Sequence, residues 1–276
     1  MTLATRNVVL IAGVVLISTV LAAYLAGAYA LLYGPLSDRS FVVGEYLSWF
    51  GVRWPVTQVG AFHSLGAAGV LALIATVVLA VSAHLFRRVS AAEIYFVMLF
   101  LMSLAVELFR LGMPLADAAG LPALVGVQLT RIVLFGRLMG ALSLFAAGIY
   151  LAGADYPRVG SATLLLAAIS FLVVYLVPVD SRETNATFLH VVGDRAAIDF
   201  LLAFLSVGAI ANCSIGWFRG HRERGGAIAL SISAIVIGKD LALNLASPLA
   251  LALGVGLVAS GAAAFVLVNR SSYLWY

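Results

Sequence analysis

The sequence predicts an all-α polytopic transmembrane helical bundle of about eight helices, and three observations carry that reading. Of 276 residues, 63% are hydrophobic and 10% charged, with a mean hydropathy of +1.11, whereas soluble domains carry about a quarter charged residues. Apolar runs of about 20 residues, enough to cross a hydrocarbon core about 30 Å thick as a helix, recur along the whole chain. These runs are unbroken and rich in Leu, Ala, Val and Gly, unlike the short alternating segments of a transmembrane barrel.

The first span covers roughly 8–32, between Arg6 and the turn signal Gly34-Pro35. A signal peptide is the alternative there, because the run ends in Ala28-Tyr29-Ala30. The run exceeds the roughly 7–15 residues of a signal core; cleavage would leave seven helices and an external N-terminus. Residues 41–50 contain Tyr46 and Trp49, which suit the headgroup level, so a short interfacial helix is expected. The remaining spans are expected at roughly 60–85, 91–113, 124–151, 161–179, 198–218, 226–246 and 249–268. Arg87-Arg88, Pro114, Tyr156-Pro157, Pro178, the Arg219–Arg224 stretch and Pro248 separate them. All belong to one membrane domain.

Counting arginines in the short loops orients the bundle. Arg6, Arg87, Arg88, Arg158, Arg219, Arg222, Arg224 and Arg270 fall on one side, against Arg39, Arg53, Arg182 and Arg195 on the other. Both termini are therefore expected in the cytoplasm of a multi-pass protein of the cell membrane, the inner membrane if the source is bacterial. The net charge of +4 is too thinly spread for a nucleic-acid face. Inner loops of a few residues leave no room for a cytoplasmic catalytic domain, and no Gly-rich phosphate loop is present. Cys213 is the only cysteine and reads as an inert buried thiol. No cofactor is expected.

A weak internal repeat is visible. Phe86-Arg87 and Phe218-Arg219, Glu107 and Asp240, and Pro114-Leu115-Ala116 and Pro248-Leu249-Ala250 recur at nearly constant offset. Many transporters are duplicated in this way, which would make the third and seventh spans equivalent.

Six charged residues lie well inside the expected spans, away from their first and last three residues: Glu107, Arg110, Arg131, Arg137, Lys239 and Asp240. Such residues face a bundle interior or a wet cavity, because an unpaired charge in lipid costs several kcal/mol. All six are expected in the outer half of the membrane. Glu107 and Arg110, at i,i+3, share a face and can pair; Asp240 and Asn244, at i,i+4, share another with Ser233. Lys239 is set about 100° from Asp240 and is expected to seek a partner on another helix, or a ligand. It is also the only lysine among 16 basic residues. A Schiff-base lysine for retinal is disfavoured, because this helix is expected to run outward and to be followed by another span.

Four cations against two carboxylates leave a positive surplus, which a purely structural network would be expected to balance. Asp180 and Asp199 are the loop acids placed to supply that balance. The expected site is therefore an outward-facing polar cavity binding an anionic small molecule or lipid headgroup. Its candidate ligand-binding residues are Glu107, Arg110, Arg131, Arg137, Lys239, Asp240 and Asn244, with arginine suited to a bidentate grip. Transport is favoured over a sensor acting through a separate cytoplasmic partner, and over an intramembrane lipid-modifying enzyme; a homo-oligomer is compatible with all three. A metal site from His63, His190, Asp180 and Asp194 lacks close ligand spacing. Gly136-x-x-x-Gly140 and Gly256-x-x-x-Ser260 read as helix-packing faces, and Asn185-Ala186-Thr187 as a glycosylation sequon in a eukaryotic source.

Overall fold

The computed structural model describes residues 3–33, 46–49, 52–55, 58–89, 91–153, 158–218, 222–245 and 247–273. Among them, eight helical stretches are long and apolar enough to cross a membrane. They are α1 (Leu3–Leu32), α2 (Gln58–Leu85), a composite third span, α5 (Ala123–Leu151), α6 (Val159–Leu176), α7 (Arg195–Phe218), α8 (Arg222–Asn244) and α9 (Pro248–Tyr273). The third span joins α3 (Ala92–Leu104), a 3-10 segment (Ala105–Leu111) and α4 (Gly112–Ala118). Successive spans are joined by turns of a few residues, except that α1–α2 and α6–α7 are joined through longer segments that carry β-hairpins. One end of the bundle gathers Arg6, Arg87, Arg88 and Arg158 and is called the arginine-rich end; the opposite, loop end carries two β-hairpins.

The third span lies at the centre, with 78% of its most apolar stretch buried against 11% for α6. Its sequence explains this: Ile94 to Leu101 is apolar all round, and a helix without a polar face is stable only when covered on every side. By contrast, α6 turns Leu164, Leu165, Phe171, Leu172 and Leu176 outward, the face a lipid-contacting helix presents.

Pro114 was expected to end the third span near 113, yet the helix continues to Ala118. Proline has no N–H for the carbonyl of Arg110, and its ring crowds that carbonyl. The chain is 3-10 helix over Ala105–Leu111 and α-helix from Gly112, so Pro114 falls in the first turn of α4, where its missing N–H is tolerated.

Glycines set the closest approaches. A Cβ on Gly136 would lie 2.6 Å from Val106, and one on Gly140 would collide with Ser103, so this expected packing face seats α5 against the third span. The second expected face is misplaced: Gly256 has nothing near it and Ser260 is exposed. The close α8–α9 contact instead joins Gly238 to Gly254, two positions earlier on α9 and so on another side of it.

The expected interfacial helix is also corrected. Residues 46–49 form strand β1 (Tyr46–Trp49), antiparallel to β2 (Val52–Pro55) with Tyr46 opposite Pro55; 41–45 and 50 lie outside the described residues. The aromatic and β-branched content of Tyr46, Trp49, Val52 and Trp54 favours strand pairing, whereas a helix of so few residues is marginal. Of the repeat matches, Phe86 and Phe218 both lie at a helix end, but Pro114 lies inside a span where Pro248 opens one, and Glu107 is on 3-10 backbone where Asp240 is on a regular helix.

Candidate functional site

The 3-10 segment holds Glu107 and Arg110 in the middle of the most buried span. With the helix running on to Ala118, Glu107 is 11 residues from its end, about 18 Å at 2.0 Å per residue through the 3-10 stretch and 1.5 Å per residue beyond it. Arg110 Nη2 lies 2.5 Å from Glu107 Oε2, so the expected i,i+3 pair forms. From α5, Arg137 donates Nε to Glu107 Oε1 at 2.7 Å and Nη2 to Oε2 at 3.2 Å, a two-point grip. One carboxylate thus serves two guanidinium groups. Arg110 is completely buried and donates Nη1 to Ser64 Oγ of α2 at 3.0 Å, while its Nε has no hydrogen-bond partner. Arg137 is the outward member of the three, with 18% of its side chain exposed.

Around this triad, α7 and α8 add further charge. Lys239 and Asp240 lie near enough to act electrostatically on Glu107 and Arg137 respectively, and Asp199 also acts on Arg137. Among the described residues, the ion pair of Lys239 is with its neighbour on the same helix: its Nζ is 3.2 Å from Asp240 Oδ1. The long flexible stem lets the ammonium swing back across the 100° that separates adjacent side chains. Arg195 and Asp199, at i,i+4 on α7, approach to 3.7 Å. Among the described residues, four cations (Arg110, Arg137, Arg195, Lys239) gather here with three carboxylates (Glu107, Asp199, Asp240), one positive charge in excess.

Arg131 does not join this group. Six residues before Arg137, it projects from another side of α5 and lies over the Tyr175 ring of α6 at 5.8 Å, a cation–π contact on the bundle's exterior. Asn244 is half-buried a turn beyond Asp240. Asp180 turns to its own strand, accepting from the Arg182 N–H at 2.9 Å. The balancing acid is therefore Asp199, not Asp180.

A crevice opens from Arg137 toward the loop end, lined by Thr130, Leu134, His190, Val192, Arg195 and Asp199, with a volume of about 30 Å³. That holds a water molecule or a small ion. Its cover is the hairpin of β3 (Val179–Thr184) and β4 (His190–Val192), whose connection dips into the bundle: Ala186, Phe188 and Leu189 are all buried. Asn185 organises the dip, since its Oδ1 accepts from the Thr187 N–H at 2.9 Å, the Thr187 hydroxyl at 2.5 Å and the Leu189 N–H at 3.2 Å. Phe188 takes a φ of 57° and packs its ring near that of Phe62. The sequon reading is thereby overturned, because Asn185 is 3% exposed and its amide is structural. The His190 N–H donates to Thr130 Oγ1 at 3.1 Å, tying the cover to α5.

No known family, curated protein or solved structure matches this chain. Its site is therefore read from geometry alone. Sequence reasoning missed Ser64 and Thr130, whose hydroxyls become partners only through tertiary contact, and undervalued Arg195, whose i,i+4 spacing to Asp199 was available. Among the described residues, no three His, Cys, Asp or Glu side chains gather as a metal site.

Proposed function

We propose that this protein is a multi-pass membrane transporter for a small anion, carrying a carboxylate or a phosphate, with Arg137 as the group that meets the anion. The observation that carries this reading is the sharing of Glu107 by two arginines, one of which faces a crevice. An entering anion would complete the charge balance and take over part of Arg137's bidentate grip. The 3-10 stretch that carries Glu107 and Arg110 supports a working site over a purely structural one, since 3-10 stretches within helices often mark functional hinges. In this reading the termini are cytoplasmic, the crevice faces outward, and the β3–β4 hairpin covers the site in a closed state.

The test is anion uptake into proteoliposomes containing the purified protein, using a panel of small carboxylates and phosphates. Uptake of one class, lost in Arg137→Ala with folding retained, supports the proposal. Absence of uptake across the panel, or full uptake by Arg137→Ala, overturns it.

A further inference from the structure

At the arginine-rich end, α1 is fastened to the α2–α3 turn by polar contacts. Arg6 donates to the carbonyls of Phe86 and Val89, and Asn7 Nδ2 to that of Arg87 at 2.9 Å. These bonds consume the buried guanidinium of Arg6 on backbone carbonyls and leave the Arg87 and Arg88 side chains exposed, with no carboxylate within ion-pair distance among the described residues. Next to this clamp, α1 and α2 leave a groove of about 370 Å³ between them. Leu10, Ile11, Val14 and Val15 line it from α1, with the small residues Ala80 and Ala83 opposite on α2. Asn7, His84 and Arg87 form its polar end.

We infer that this groove is a binding site for one anionic phospholipid of the leaflet at the arginine-rich end. Its phosphodiester is held by Arg87, with Asn7 and His84 beside it, and an acyl chain lies between α1 and α2. The charge pattern selects this occupant: an apolar channel open to lipid takes a hydrocarbon chain, and a cation without a protein carboxylate at its end takes a phosphate. A zwitterionic lipid brings its own cation to the same place and loses that advantage. The site lies at the opposite end of the bundle from the Arg137 crevice and does not depend on the transport reading.

Native mass spectrometry of the purified protein titrated with phosphatidylglycerol or phosphatidylcholine tests this. One phosphatidylglycerol is expected to be retained in preference to phosphatidylcholine. Arg87→Gln, at an exposed position, is expected to weaken retention about tenfold. Ala83→Leu, which narrows the groove without changing charge, is expected to weaken it as well. Arg158→Gln, which removes an exposed charge from the same end away from the groove, is expected to leave it unchanged. Equal retention of the two lipids, equal loss in Arg158→Gln, or displacement by soluble glycerol phosphate would each overturn the inference, pointing respectively to an unselective groove, a diffuse charge effect and a headgroup-only site.

Discussion

Glu107 is the residue on which the interior charges depend. Its removal leaves Arg110, with no exposed surface, facing Arg137 without a carboxylate between them. Breaking such a buried group by deleting one partner costs about 3–5 kcal/mol. Glu107→Gln is therefore expected to lower the thermal denaturation midpoint in detergent sharply. Replacing Glu107, Arg110 and Arg137 together by methionine is expected to recover most of that loss, because the charges no longer need burial, while abolishing anion uptake. Stability and function then separate, which marks the triad as functional rather than structural. Asn185 offers a second test: Asn185→Ala removes the acceptor of three bonds and is expected to cost about 1–3 kcal/mol and to loosen the cover, read as faster proteolysis within the β3–β4 connection.

At the scale of elements, the decisive feature is the 3-10 segment. A 3-10 helix rises about 2.0 Å per residue against 1.5 Å in an α-helix, so seven residues differ by about 3.5 Å in length. Pro114→Ala restores a backbone N–H and so permits an α-helical bond to the Arg110 carbonyl. Relaxation toward α-helix is expected to carry Glu107 away from Arg137, leaving global stability nearly unchanged while uptake falls. Unchanged uptake with a retained fold would show that the segment does not set the site geometry. The glycines of α5 play the complementary part, because Gly136 and Gly140 bring Arg137's helix close enough for a direct grip on Glu107.

For the whole molecule, sidedness is open to a direct measurement. Cys213 is 1% exposed and should not react with an impermeant maleimide, so single cysteines report without removing it. In intact cells or right-side-out vesicles, Asp194→Cys is expected to label from outside and Arg158→Cys only after the membrane is opened. The reverse pattern would invert the orientation argued from arginine counts.

The sequence by itself determined the class, the eight spans, the uneven distribution of arginines and the Glu107–Arg110 pair, because each follows from local composition or from i,i+3 spacing on one helix. The arrangement of the site was decided only by tertiary structure. Which side of α5 faces inward separates Arg137, in the triad, from Arg131, over Tyr175. The reach of a flexible lysine stem returned Lys239 to Asp240, and the fold of one loop turned Asn185 from an exposed sequon into a buried bracket. Charges at similar depth are indistinguishable in sequence; only the rotation of their helices and the partners those rotations supply tell them apart.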